Sequence, residues 1–169
     1  PEEEGGGGMP PVLCAFMRYK PELLNDFNPT RDMVNSPNPR CWARVGRAYK
    51  AGLGTAAKYA GAVGDGASAV WMAFERTWGK LPKIEVIVAN PESAKVPEED
   101  QLDVMYATAG CVAHHATENN IDAIMKYTRR LPSEFQGSVY KDIVNRDESL
   151  NETNAMINWV SDNNSMLFS

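Results

Sequence analysis

Arg40 is the residue of this chain best placed to meet a phosphate. It lies in the stretch Asn35-Ser36-Pro37-Asn38-Pro39-Arg40-Cys41-Trp42, which reads as an extended approach and then a helix start. Proline suits the first helical position, because its missing N–H would have no partner there anyway. Arg40 then falls in the first turn, where unpaired N–H groups and the helix dipole favour an anion. The sequence offers no loop to hold that anion. Gly52-Leu53-Gly54-Thr55-Ala56-Ala57-Lys58 has phosphate-loop letters in the wrong order, and Gly61-Ala62-Val63-Gly64-Asp65-Gly66 follows a helix rather than a strand. A phosphate loop works because a strand-to-helix turn aims successive N–H groups at one point. Both stretches therefore read as turns between helices.

The other candidate groups point away from catalysis. His114 and His115 are adjacent, so on a helix they diverge by about 100° and do not grip one metal. The expectation is one packed histidine and one exposed. Glu98, Glu99, Asp100 and Asp103 sit where a helix N-terminus favours negative charge, and they read as capping. Cys14, Cys41 and Cys111 are odd in number, far apart and without C-x-x-C spacing. They exclude a disulfide framework and a zinc site, suggest a reducing compartment, and read as small buried apolar residues. No serine sits in a G-x-S-x-G elbow. Trp42, Trp71, Trp78 and Trp159 lie among aliphatic residues at helical spacing, the pattern of a core. No catalytic residue and no metal site is expected.

The elements that must position Arg40 are helical nearly throughout. Pro10-Pro11 start a helix with Val12, Leu13, Phe16 and Met17 on one stripe, and Pro21 opens a short turn through Leu23, Leu24 and Phe27. A loop follows over 28–38. The helix from Pro39 buries Trp42, Val45 and Tyr49, and Gly52 and Gly54 end it. An alanine-rich helix runs from Thr55 to Val63 and is broken by Gly64-Asp65-Gly66. The next carries Val70, Trp71, Phe74 and Trp78 on one face. Ile84 to Val88 is the one β-looking run, and with no partner strand in view it is expected to be a short helix or an extended linker. Residues 89–99 form a polar, proline-marked connection. Beyond it, Leu102, Met105, Tyr106, Ala109, Val112, Ala113 and Ala116 make an amphipathic face. Thr117 is expected to cap a helix with Ile121, Ile124, Met125 and Thr128. Pro132 and Ser133 start another with Phe135, Val139 and Ile143 inward. Thr153 caps the last, with Met156, Ile157 and Val160 inward and Trp159 close by. Short connections imply antiparallel neighbours and an all-α fold of two small helical subdomains packed as a bundle.

Composition sets the frame for that fold. The chain has 169 residues, 43% of them hydrophobic, which suffices for one real core or two small helical ones. The net charge of −5 argues against a nucleic-acid surface, which needs clustered Lys and Arg. Arg129-Arg130 reads as a solvated helix end. No run of about 18 apolar residues occurs, so no membrane span is expected. The acidic, glycine-rich start, Glu2 to Gly8, is the opposite of a signal peptide and reads as a flexible tail. Cytoplasmic localisation follows as an expectation.

Three stretches together resemble the helical C-terminal part of MoxR-type AAA+ ATPases, including phage relatives. The first is Val12 to Leu24, similar to an "A-F-L-R-x-R-P-E-L-L" helix. The second is Ser36-Pro37-Asn38-Pro39-Arg40-Cys41-Trp42, similar to "S-P-R-x-W", followed by Gly61 to Ala67, similar to "G-x-V-G-E-G-A". The third is Leu131 to Gln136 with Val144 to Asp147 and Leu150 to Thr153, similar to "L-P-x-E-F-Q … R-R-D-P-x-L-x-x-T". Together they cover residues 10–162. The resemblance implies that Arg40 is a sensor-2 arginine, projecting from a lid onto the γ-phosphate of a bound nucleotide. Asn38 departs from the family's serine, and Ser36 lies two positions away. The P-loop, Walker-B acids and arginine finger of such ATPases have no counterpart here, so this chain alone has no Mg²⁺ ligand set or phosphate cradle.

The resulting expectations are specific. Residues 1–9 form a tail, 10–88 a lid-like helical subdomain, 89–100 a linker and 101–169 a C-terminal bundle. The chain is expected to be a non-catalytic module that docks on an AAA+ ATPase core and senses nucleotide through Arg40. It holds no cofactor itself, and ATP and Mg²⁺ belong to the core. The alternative is a self-standing helical binding or assembly protein, of phage origin, that has lost nucleotide chemistry and contacts another subunit or a second copy of itself.

Overall fold

Pro10 and Pro11 start the first helix, α1 (Pro11–Tyr19), with Leu13 and Cys14 donating their N–H groups to the Pro10 carbonyl. The computed structural model describes residues 8–26 and 35–163. Phe27, residues 28–34 of the expected loop and residues 1–7 of the expected tail lie outside the described residues. A 3₁₀ turn, Pro21–Asn25, follows α1. Then come α2 (Pro39–Lys50), α3 (Ala56–Val63), α4 (Asp65–Trp78), α5 (Ile84–Ala89), α6 (Leu102–His114), α7 (Ile121–Thr128), α8 (Ser133–Arg146) and α9 (Asn154–Asp162), with a second 3₁₀ turn at Glu148–Glu152. The fold is all-α, as its periodicity predicts. Among the described residues there is no strand, and the Ile84 run is the short helix α5. No described helix is long and apolar enough to cross a membrane.

The contacts divide the chain into two compact units between Arg76 and Thr77. The first is built on aromatic rings. Phe16 of α1 meets Trp42 of α2 at 5.3 Å and Trp71 of α4 at 5.4 Å between ring centroids, both tilted toward edge-on. Tyr49 and Tyr59 each stand edge-on to Trp71 at 6.0 Å. Such edge-to-face pairs each add about 1 kcal/mol beyond the area they bury. Trp42 and Trp71 are fully buried, whereas Val70 and Leu24 are exposed and fall off their expected faces.

The second unit packs α6 mainly against α8. Met105, Val112, Ile124, Val139, Ile143, Met156 and Trp159 form its dry centre. Trp159 is a full core residue. Its indole N–H donates to Gln136 Oε1 at 3.1 Å, and its ring stacks on Tyr140 at 4.8 Å. Leu102 and Ile157, expected inward, are exposed because each stands on the solvent side of its helix. Residues 91–95 of the polar connection are held by this unit. Tyr127 Oη donates to the Lys95 carbonyl at 2.9 Å, and Arg130 Nη1 donates to the Pro91 and Ala94 carbonyls at 2.8 and 2.7 Å. Arg129 pairs with Asp162 at 2.8 Å. The arginine pair is therefore a clasp rather than a solvated helix end.

Three helix starts differ from expectation. Gly64 ends α3 with φ +84°, and α4 begins at once, so Gly66 lies inside a helix instead of breaking one. Thr117 opens a turn, and Asn120 is the residue that precedes α7. Asn120 Oδ1 accepts from the Thr117 N–H, which uses its side chain to close that turn. Thr153 does precede α9, but its hydroxyl donates back to the Leu150 carbonyl at 2.7 Å rather than capping the helix.

Candidate functional site

Helix α2 fixes Arg40 from behind. Two residues on, Trp42 is wholly buried among Phe16 and Trp71, and its indole N–H donates to the Leu23 carbonyl at 2.7 Å. Asn38 supplies the cap. Its Oδ1 accepts from the Cys41 N–H at 3.0 Å, and its Nδ2 donates to the Ser36 carbonyl at 3.2 Å. Asn38 thus does the work that a serine or threonine does at other helix starts. The cap also narrows what the helix end can offer an anion. Pro39 has no N–H, Cys41 donates to Asn38, and Trp42 donates to the Asn38 carbonyl. Arg40's own N–H and guanidinium remain.

Arg40 is exposed, and so are Arg44 and Arg47. Spaced at four and three residues, the three lie within an arc of about 60° on a helix turning 100° per residue. The whole of α2 contains no carboxylate. Among the described residues, no hydrogen bond or ion pair engages any of these three guanidinium groups. A row of three unpaired arginines on a rigid helix, in a chain of net charge −5, is the strongest local charge feature of the first unit.

The remaining candidates are dispersed. The Gly52–Lys58 and Gly61–Gly66 stretches connect α2 to α3 and α3 to α4. Thr55 Oγ1 caps α3 by accepting from the Lys58 N–H at 3.3 Å. His114 and His115 are both exposed, correcting the expectation that one is packed, because they end α6 where it meets the turn at Thr117. Their rings meet edge-on at 5.0 Å. Partial desolvation, and then the charges of His115 and Arg146, hold His114 below the usual histidine range. The three cysteines form no disulfide and are half-buried rather than core residues. Burial pushes the Cys111 thiol up to about 11, which keeps it protonated and a poor nucleophile at neutral pH.

Asp103 Oδ2 accepts from Thr77 Oγ1 at 3.0 Å, and Gln101 Oε1 accepts from the Glu98 N–H at 3.5 Å. No side chain caps the start of α6, so of the acidic patch only Asp103, in the first turn, meets the helix dipole as expected. A concavity of about 530 Å³ in the second unit is lined by Glu118, Asp122 and Glu152. Among the described residues, no cluster of three or more His, Cys, Asp or Glu has the geometry to hold a metal. Sequence reading missed one group, Glu75 with Tyr49 and Tyr59. Partial burial raises the Glu75 carboxyl, with Arg76 pulling the other way. Burial also raises both phenols; at Tyr59 the Trp71 indole pulls the other way, and the Glu75 charge adds to the rise at both. Residues 75, 49 and 59 carry no spacing signal, because three different helices bring them together.

Compared with known proteins, the chain matches no family model, no curated protein and no solved structure.

Proposed function

We propose that this chain is a non-catalytic helical module that docks on another protein and presents Arg40 to an anion which that protein holds. On the motif resemblance, the partner is a MoxR-type AAA+ ATPase core and the anion is the γ-phosphate of its ATP. One observation carries the reading: Arg40 is exposed, unpaired and anchored two residues from the buried Trp42. Held this way, the backbone that carries the guanidinium needs no reordering on meeting a phosphate, and the charge-assisted, bidentate contact it makes is among the strongest polar contacts available. ATP and Mg²⁺ would sit on the core, with Arg40 reaching the transferred phosphoryl as charge develops there.

The test mixes this chain with a MoxR-type ATPase core from which its own lid has been removed. The expected result is a rise in ATP turnover that Arg40→Ala lowers by roughly tenfold or more, while the variant still co-elutes with the core. An unchanged turnover with Arg40→Ala would overturn the sensor role.

A second reading is favoured by the Arg40, Arg44 and Arg47 row. A binding or assembly module would use all three against an acidic protein surface. The two readings separate cleanly: a sensor concentrates the loss at Arg40, whereas a docking face spreads it over three positions and weakens with salt.

A further inference from the structure

A cavity of about 320 Å³ opens in the second unit between the end of α4, the polar connection and the first turns of α6. The volume lies at the lower end of the range of small-molecule sites. Leu81, Pro82, Pro97 and Val104 give it an apolar body, and Thr77 and Gln101 add polar side chains to the wall. Two lysines line it, Lys80 and Lys95, both exposed. No ion pair among the described residues engages either ammonium. Asp103 accepts from the hydroxyl of the lining residue Thr77 at 3.0 Å.

The decisive group is Thr108. It is only 3% exposed and lines the same cavity. A helical threonine ordinarily satisfies its hydroxyl on the carbonyl four residues back, as Thr128 does on Ile124 at 2.8 Å. The Thr108 hydroxyl has no hydrogen-bond partner among the described residues. Its residue lines the cavity, so a ligand seated there can supply that partner. The lining is thus two exposed cations, an apolar body and the polar side chains of Thr77, Gln101 and Thr108, of which the Thr77 hydroxyl is already engaged by Asp103.

We propose that this cavity binds a small organic acid. Its carboxylate lies between Lys80 and Lys95, its aliphatic or aromatic body lies against Leu81, Pro82, Pro97 and Val104, and an oxygen at its far end pairs with Thr108. The site is separate from Arg40 and needs no nucleotide. Each part has a distinct chemical signature, so one probe series tests all of them.

The full chain is titrated with ω-hydroxyhexanoate, with hexanoate, which lacks the far hydroxyl, and with hexanediol, which lacks the carboxylate, following methyl and amide resonances by NMR. The expected result is saturable shifts at Leu81, Val104 and Thr108 at millimolar ω-hydroxyhexanoate, with each truncated probe binding about five- to tenfold more weakly. Lys80→Gln/Lys95→Gln removes the preference for the acid over the diol. The near-isosteric Thr108→Val removes the preference for the hydroxy acid over hexanoate. Absence of saturable shifts, or binding that ranks the three probes equally, would overturn the proposal. So would preferences that survive both variants.

Discussion

At the scale of single residues, two buried tryptophans of the first unit differ in one bond. Trp42 and Trp71 are both fully buried in the same aromatic cluster. Trp42 donates its N–H to the Leu23 carbonyl at 2.7 Å, whereas Trp71 Nε1 is buried without a well-formed hydrogen bond and has only a weak interaction with the Tyr59 hydroxyl. Replacing either by phenylalanine removes a similar volume, so the cavity terms nearly cancel. The polar terms do not: Trp42→Phe loses a formed hydrogen bond to a carbonyl, while Trp71→Phe removes a desolvated group that only a weak interaction with Tyr59 compensates. Trp42→Phe is expected to be more destabilising than Trp71→Phe by about 2 kcal/mol, read as the difference in urea midpoints at constant slope. Equal losses would show that Trp71 makes a full hydrogen bond in solution. The sequence announced both residues as core, because each sits among apolar residues at helical spacing. Which indole has a well-formed hydrogen bond was illegible, since Leu23 lies in a separate turn. The same holds for the candidate sites. Arg40 is legible because proline, the cap and the arginine are consecutive. Thr108, Lys80 and Lys95 come from three elements and share no local pattern.

At the scale of the element, starts and stops were legible wherever one residue imposes a backbone constraint. Prolines at 10, 11 and 39 begin helices, and Asn38 caps one with its side chain. The reading failed where a residue's role depends on the next element: Thr117 yields to Asn120, and Gly66 is absorbed into α4. Two glycines three residues apart make the distinction measurable. Gly64 has φ +84° and ψ 162°, a conformation nearly reserved for glycine, and a Cβ there would come within 3.1 Å of the Asn35 carbonyl oxygen. Gly61 is exposed inside α3, with open space where its Cβ would be. Gly64→Ala is expected to cost about 2–3 kcal/mol. Gly61→Ala is expected to stabilise by about 0.5–1 kcal/mol, through helix propensity and lost unfolded-state entropy. Thermal denaturation of the two variants should therefore shift in opposite directions. A shift of Gly64→Ala in the stabilising direction would mean that the turn between α3 and α4 relaxes at little cost.

At the scale of the whole molecule, composition and connectivity mislead in different ways. The proline-marked stretch 89–100 looks like a free connection because its residues are polar. Tyr127 and Arg130, more than thirty positions away, satisfy three of its carbonyls, and no local pattern reports such bonds. Net charge misleads in the opposite sense. The total of −5 hides a helix with four cations and no acid. The two scales make different predictions for nucleic acid, and magnitude decides between them. A row of three arginines neutralises about three phosphates, so the logarithm of the DNA affinity would fall with log salt at a slope of only about −3. Proteins that hold duplex DNA at physiological salt typically make several more such contacts, and repulsion from the remaining acidic surface works against even three. The chain is therefore expected to leave duplex DNA unshifted in a gel at about 150 mM salt and micromolar protein, within the weak non-specific range. An acidic protein segment asks less of the same row, since a few carboxylates at matching spacing pair with Arg40, Arg44 and Arg47 without a long charged lattice. A retarded DNA band that persists at that salt and disappears with Arg44→Ala and Arg47→Ala would reverse the assignment. It would make α2 a nucleic-acid face instead of a protein-docking one.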